Sequence, residues 1–209
     1  MNKYDTEEYD FKALDWDNDP GKVERAKSVA EVIKETVCLT KDMTAFEYGC
    51  GTGLLSFNLH PYLKCINLAD SSKGMLSVLN DKIVKYQITN MTTSNVDLTK
   101  QNEAFQSYDL IYTLMTLHHI MDVDNILNIF YKMLNQSGYL CIADLDEEDG
   151  SFHGDGFEGH NGFNKVDLEE KLKSIGFKIK HYQICFEVVK DLDGEKQKRY
   201  PLFVMVAQK

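Results

Sequence analysis

With 209 residues, 43% of them hydrophobic, the chain can bury one substantial core, and a single domain over 1–209 is expected. The 33 Asp and Glu against 23 Lys and Arg leave a formal charge of -10 with no basic cluster to set against it, which makes nucleic acid a poor partner. No apolar run approaches the ~20 residues that span a bilayer, and the acidic start MNKYDTEEYDFKALDWDNDP is unlike a secretory signal, so a soluble, cytoplasmic protein with no membrane partner is expected.

Behind that start, Val23, Ala26, Val29, Ala30, Ile33 and Val37 recur at three- and four-residue spacing. They predict an amphipathic helix that opens near Pro20 and completes an N-terminal helical cap over 1–38. MTAFEY reads as a short strand running into a glycine turn, and GLLSFNLHPYL continues with helical spacing until Pro61 ends it. KCINLAD is a second strand closed by an acid, after which Met75, Leu76, Leu79 and Ile83 form one helical stripe. A third strand lies within YQITNMTTSNVDL. YDLIYTLMTL is apolar almost throughout, as in strands covered on both faces, NILNIFYKML is a helix ending near NQSG, and GYLCIADL is the fifth strand.

After Leu145 the pattern breaks into DEEDGSFHGDGFEGHNGFN, a lid-like loop over 146–164 that is too long for an ordinary connection. A helix at KVDLEEKLKSIG, a strand in FKIKHYQICFEVVK, a turn at DLDG and a last strand in YPLFVMVAQ come next; strands joined by a tight turn pair antiparallel. The whole alternation predicts an α/β fold: a doubly wound, seven-stranded, mainly parallel sheet with an antiparallel last strand and helices on both faces. Cys38, Cys50, Cys65, Cys141 and Cys185 are odd in number, lack any C-x-x-C pair and sit mostly in apolar runs, so they read as reduced core thiols rather than zinc ligands.

The turn AFEYGCGTGLL carries Gly49, Gly51 and Gly53 directly behind the first strand. A phosphate loop is excluded because no lysine comes after the glycines. A dinucleotide fingerprint wants glycine where Leu54 stands, which weakens a pyrophosphate reading. The acids at the ends of the later strands give the turn a different parallel. The order Glu47-x-Gly49-x-Gly51-x-Gly53, Asp70 closing the second strand, Asp97 and Leu98 closing the third and Asp109 opening the fourth resembles the class I S-adenosylmethionine-dependent methyltransferases, motif by motif over residues 40–145. In its small single-domain form the chain is similar to the ubiquinone/menaquinone-biosynthesis methyltransferases.

The resemblance implies the class I methyltransferase fold and S-adenosylmethionine as cofactor, with S-adenosylhomocysteine as product. It also implies transfer of the methyl group by in-line displacement to a small-molecule acceptor. It implies that the backbone at Gly49, Gly51 and Gly53 takes the methionine portion, with Glu47 shaping the turn and meeting the amino end. Asp70 and Ser71 would hold the ribose hydroxyls, and Asp97 the adenine amino group, with Met75 and Leu98 packing the ring; Thr113 and Leu114 would bring backbone to the cofactor. Other readings stay open at single positions: Glu47 bonding turn amides, Asp70 capping the helix near Ser71, Met75 as core.

A sulfonium methyl is already activated, so a base is needed only when the acceptor must lose a proton. His118 and His119, just past the fourth strand, titrate near neutrality and are the candidate bases; a structural pair is the alternative. Phe152, His153, Phe157 and His160 of the long loop are expected to border the acceptor pocket, with Trp16, beside Tyr9 and Phe11, closing over it from the N-terminal side. The spacing of His153, Asp155, Glu158 and His160 fits no metal motif, and no metal is expected. The competing class is a non-catalytic S-adenosylmethionine-binding protein or regulatory partner subunit.

Overall fold

The computed structural model describes residues 3–100, 106–192 and 196–209. In chain order the helices are α1 (Lys3–Lys12), α2 (Pro20–Thr36), α3 (Leu54–Leu59), α4 (Lys73–Lys85), α5 (Val123–Met133) and α6 (Lys165–Ile175). The strands are β1 (Thr44–Tyr48), β2 (Cys65–Asp70), β3 (Met91–Asn95), β4 (Tyr108–Leu114), β5 (Leu134–Leu145), β6 (Lys178–Leu192) and β7 (Lys196–Gln208). Single 3-10 turns occupy Ala13–Asn18, His60–Tyr62 and Leu117–His119.

The strands form one sheet in the order β3-β2-β1-β4-β5-β7-β6. The first five pair parallel, whereas β7 runs antiparallel to both β5 and β6. The sheet order reverses between β1 and β4, and ligands of open α/β sheets bind beyond the carboxyl ends of the strands at such a point. The near-continuous apolar strands result from cover on both faces. Leu110, Tyr112, Cys141 and Ala143 face the layer of α2, α3 and α4, while Ile111, Leu140 and Ile142 alternate onto the layer of α5 and α6.

Helix α2 starts where Asp19 caps it by accepting from the amide of Gly21 at 2.8 Å, with Pro20 in the first position. Its buried face is Ala26, Val29, Ala30, Val32 and Ile33; Val23, at the margin of that face, is exposed contrary to the expected stripe. Within the expected N-terminal helical cap the polar leader forms a helix of its own, α1, which is fastened to the N-terminus of α4: Asp10 accepts from the Ser72 hydroxyl at 2.6 Å and the Gly74 amide at 2.7 Å. That docking lets a polar segment with little apolar periodicity hold a helix. Strand β5 begins at Leu134, earlier than expected, because a register shift between Tyr108 and Leu110, with Ser137 at φ +66°, lets NQSG join the strand. Cys50 and Cys141 are buried as expected, but Cys38 and Cys65 are exposed, lying near the ends of their elements; all five thiols are free. Part of the expected DLDG turn lies outside the described residues. Among the described residues no helix is long and apolar enough to cross a membrane.

Candidate active site

Between β1 and α3 the chain turns through three left-handed glycines, with φ of +70° at Gly49, +52° at Gly51 and +81° at Gly53. Their surroundings differ. A Cβ at Gly49 would stand 2.3 Å from the side chain of Thr116 and one at Gly53 would stand 2.6 Å from Leu79, so both are demanded by packing inside the protein. At Gly51 nothing comes closer than 4.0 Å, and the atoms met there are Met75 Sδ and Trp16 Nε1. Gly51 is thus the one of the three whose Cβ position is not crowded, meeting only two side-chain tips at van der Waals distance.

Asp70 ends β2 beside this turn, buried, and spans two amides: Oδ2 accepts from Gly51 at 2.7 Å and Oδ1 from Ser72 at 2.8 Å. Burial raises its pKa against the lowering by those donors. The cap of α4 is Ser72, which accepts from the Met75 amide at 3.1 Å, so the cap reading of Asp70 gives way to a brace for the glycine turn. Each Asp70 oxygen keeps a second lone pair, which suits a diol. Ser71 is next in the chain, half-buried.

Glu47 is 2% exposed and lies behind the turn. It accepts from the hydroxyl of Ser56 on α3, and Ser56 in turn pairs with the hydroxyl of Tyr112 at 2.5 Å. Burial pushes the Glu47 carboxyl up to about 8, with the Ser56 hydrogen bond opposing. Asp97 folds onto its own turn, where Oδ1 accepts from the Thr99 amide and hydroxyl and Oδ2 pairs with Lys100 at 2.8 Å. Burial raises its pKa, and Lys100 and Thr99 outweigh it, so the net shift is downward. Leu98 packs in the core with Phe46 and Tyr48. Thr113 is buried, and its hydroxyl finds no hydrogen-bond partner among the described residues; Leu114 is half-buried.

Past β4, Met115 adopts φ +53°, a conformation costly for a side-chain-bearing residue. This bend delivers the 3-10 turn Leu117–His119. His118 Nδ1 stands 2.5 Å from Oδ1 of Asp144, a fully buried acid at the end of β5 that also accepts from the amides of His118 and Leu145. Burial raises the Asp144 pKa, but His118 and those amides outweigh it and hold the carboxyl below its ordinary value. His119 Nε2 pairs with the Tyr9 hydroxyl at 3.1 Å. The His118 Nε2 and His119 Nδ1 atoms are buried with no hydrogen-bond partner among the described residues. The His153 ring stacks on Phe157 at 3.8 Å and lies 5.1 Å from His118 and 5.3 Å from His119. Burial, then neighbouring His118, pushes His119 down to about 3 and His153 down to about 4.

The long loop is pinned at the same place. The His160 amide donates to the His118 carbonyl at 2.8 Å and its ring nitrogen bonds the Ile120 carbonyl at 2.9 Å, so His160 anchors the loop and is spent in doing so. Phe152 packs on Leu145 and Tyr200 as a foot for the loop. From the other side the N-terminal segment crosses the glycine turn: Asp17 accepts from the Thr52 hydroxyl and from Lys82 Nζ, each at 2.5 Å, and Trp16 lies edge-on to Tyr9 at 5.6 Å. Of the expected N-terminal aromatics, Tyr9 and Trp16 face the site; Phe11 is 88% exposed and does not, because it lies on the outer side of α1.

Sequence reasoning missed Arg25. Its Nε is buried with no hydrogen-bond partner among the described residues, burial lowers its pKa, and Asp19, Asp144 and Tyr9 are the groups whose charge opposes that shift. It also missed Asp144, whose one signal was an acid inside the apolar run GYLCIADL.

Residues 39–204 match the family described as methyltransferase domain. An uncharacterised methyltransferase of Schizosaccharomyces pombe is 31% identical over 148 residues, which are 63% of this chain and 52% of that protein, so the chain spans about half the length of this curated relative. Among solved structures, a SAM-dependent methyltransferase from Aquifex aeolicus superimposes with TM-score 0.70 at 19% identity, covering 95% of this chain and 97% of that one. The N-methyltransferase NodS from Bradyrhizobium japonicum, solved with S-adenosylhomocysteine, gives 0.68 at 14% identity, covering 92% and 89%. At those identities the likeness is one of fold. With more than three quarters of its length matched and its glycine turn, sheet order and reversed β7 all in place, the chain belongs to the methyltransferase-domain family.

Proposed function

We propose that the protein transfers a methyl group from S-adenosylmethionine to a small-molecule acceptor held against the histidine cluster. The observation that carries this reading is Gly51, a left-handed glycine braced by Asp70 and bordered only at van der Waals distance by Met75 and Trp16. The donors and acceptors there fit the cofactor: bare backbone at Gly51 for the methionine portion, Asp70 and Ser71 for the ribose, Asp97 for the adenine amino group with Leu98 and Met75 about the ring. Thr113 and Leu114 lie at the adjoining strand end. Gly49, Gly53 and Glu47 hold the turn from behind. Arg25, whose guanidinium feels the charges of Asp19 and Asp144, still has a buried Nε with no hydrogen-bond partner among the described residues, which suits it to the methionine carboxylate.

When bound, the cofactor supplies a sulfonium methyl: an acceptor–carbon bond forms as the carbon–sulfur bond breaks, leaving S-adenosylhomocysteine. The chain's own part is to position the reactants and exclude water. The N-terminal segment and the 146–164 loop cover the mouth, which favours a small acceptor. Asp144 keeps the proton of His118 on Nδ1 and leaves Nε2 turned to the acceptor side, so His118 is the group at which an acceptor is activated, with His119, held neutral, beside it. Exposed, unpaired Cys38 and Cys65 suit the reducing cytoplasm, and the formal charge of -10 disfavours nucleic acid.

Calorimetry with S-adenosylmethionine, S-adenosylhomocysteine and NAD tests the reading. The first two are expected to bind one per chain and to change the emission of Trp16, the one tryptophan of the sequence; binding of NAD alone overturns it. Mass spectrometry across a metabolite library then seeks a methylated product. Turnover with no acceptor would transfer support to a non-catalytic binding protein.

A further inference from the structure

Three imidazoles from two separate segments converge at the acceptor side. One ligating atom each of His118, His119 and His153 lies within 4.8 Å of the other two. Two of these side chains come from the turn after β4 and the third from the loop after β5, so the cluster exists only in the folded chain. His118 Nε2 and His119 Nδ1 are buried and lack any hydrogen-bond partner among the described residues, an arrangement that costs free energy unless something else satisfies the lone pairs.

Each buried ring is also held from behind. The Nδ1 of His118 is committed to Asp144, which fixes the tautomer with its lone pair on Nε2. The Nε2 of His119 pairs with Tyr9 and can donate to that hydroxyl, which leaves the Nδ1 lone pair forward. A carboxylate or hydroxyl behind a ligating histidine is the usual means of orienting it on a metal.

We propose that His118, His119 and His153 bind one divalent transition-metal ion of the zinc type, with the fourth position open to a hydroxyl or thiol acceptor. The class of ion is set by the ligands: an all-imidazole set without carboxylate suits zinc and its neighbours rather than magnesium or calcium. Tetrahedral coordination needs ligand nitrogens about 3.3 Å apart, so no pair must draw together by more than roughly 1.5 Å. His153 supplies that movement, because it is exposed and sits between Gly150, Gly154 and Gly156, all at positive φ. The use of the metal rests on the methyltransferase reading: an O–H or S–H acceptor on the ion loses its proton to water at a lower pH than free in solution, and its lone pair is then ready for the methyl carbon.

The test uses the full chain, stripped with chelator and titrated with Co2+. One ion per chain is expected, with the intense visible bands of a tetrahedral site, displaced by one equivalent of Zn2+. His153→Ala, a truncation at an exposed position that leaves the core intact, is expected to abolish the bands and weaken Zn2+ binding at least 100-fold. Asp144→Asn is expected to weaken it on the order of 10- to 100-fold. Absence of stoichiometric Co2+ and Zn2+ binding, or binding that His153→Ala leaves unchanged, overturns the proposal and returns the histidines to acid–base or structural roles. S-adenosylhomocysteine calorimetry on the same samples separates the two readings. Its binding is expected within about twofold of the parent in His153→Ala, and its absence in the parent would sink the methyltransferase reading while leaving the metal result standing.

Discussion

The Nδ1 of His118 and Oδ1 of Asp144 lie 2.5 Å apart although 26 residues separate them, and neither side chain is more than 1% exposed. They join the turn after β4 to the end of β5, the two strand ends beside the histidine cluster. Asp144→Asn keeps one acceptor oxygen but loses the charge that holds the ring. A loss of about 1–3 kcal/mol in unfolding free energy is expected, and the downfield proton resonance of the His118 Nδ1–H should weaken or vanish while S-adenosylhomocysteine affinity is kept. An unchanged resonance would mean that Asp144 does not set the tautomer.

Asp70 braces Gly51 and Ser72 and, in the proposed complex, takes the ribose. Asp70→Ala removes charge-assisted hydrogen bonds worth roughly 1.5–3 kcal/mol each, so S-adenosylhomocysteine binding is expected to fall at least about tenfold by calorimetry, the equivalent of one such bond. Affinity equal to the parent's would remove the ribose assignment.

The three glycines are expected to respond differently to alanine. Gly49→Ala and Gly53→Ala force a Cβ to within 2.3 Å of Thr116 and 2.6 Å of Leu79, and should lower the melting temperature strongly. Gly51→Ala meets only Met75 and Trp16 at 4.0 Å and bears chiefly the left-handed φ, a cost of about 1–2 kcal/mol. It should melt close to the parent yet lose cofactor binding, which thermal scans with and without S-adenosylhomocysteine will separate.

Arg25 sets stability against binding. Arg25→Met replaces a guanidinium whose buried Nε has no hydrogen-bond partner among the described residues by an apolar chain of similar reach, so the free protein should melt at least as high as the parent. The same variant should bind S-adenosylhomocysteine at least tenfold more weakly, with adenosine, which has no carboxylate, unaffected. Equal losses for both ligands would show that Arg25 does not meet the methionine carboxylate.

Glu47 predicts a pH dependence of stability. Its carboxyl is pushed from an ordinary 4.5 up to about 8 by burial, so between those values the folded state holds a proton that the unfolded state releases. Stability contributed by this group is full below about pH 4.5 and declines as pH rises towards about 8, by up to about 1.4 kcal/mol per unit. Urea denaturation from pH 5 to 9 checks the slope, and Glu47→Gln, neutral throughout, should flatten it. A parent whose slope over that range matches that of Glu47→Gln would show that Glu47 folds as a charged group.

Local pattern determined much of this protein. The apolar runs marked the strands because each is covered on both faces, and the glycine turn with Asp70 and Asp97 at the next two strand ends pointed to the cofactor half, because those features are set by short-range backbone demands. The tertiary structure decided what depends on distant chain. It gave Gly49 and Gly53 a packing role and left Gly51 uncrowded, since Thr116 and Leu79 come from other elements. It folded the polar leader into α1 by docking Asp10 on α4. It also drew His153 to His118 and His119, placed Asp144 behind them and spent His160 on a carbonyl, because the ends of adjacent parallel strands bring together segments that the crossover helix keeps far apart in sequence.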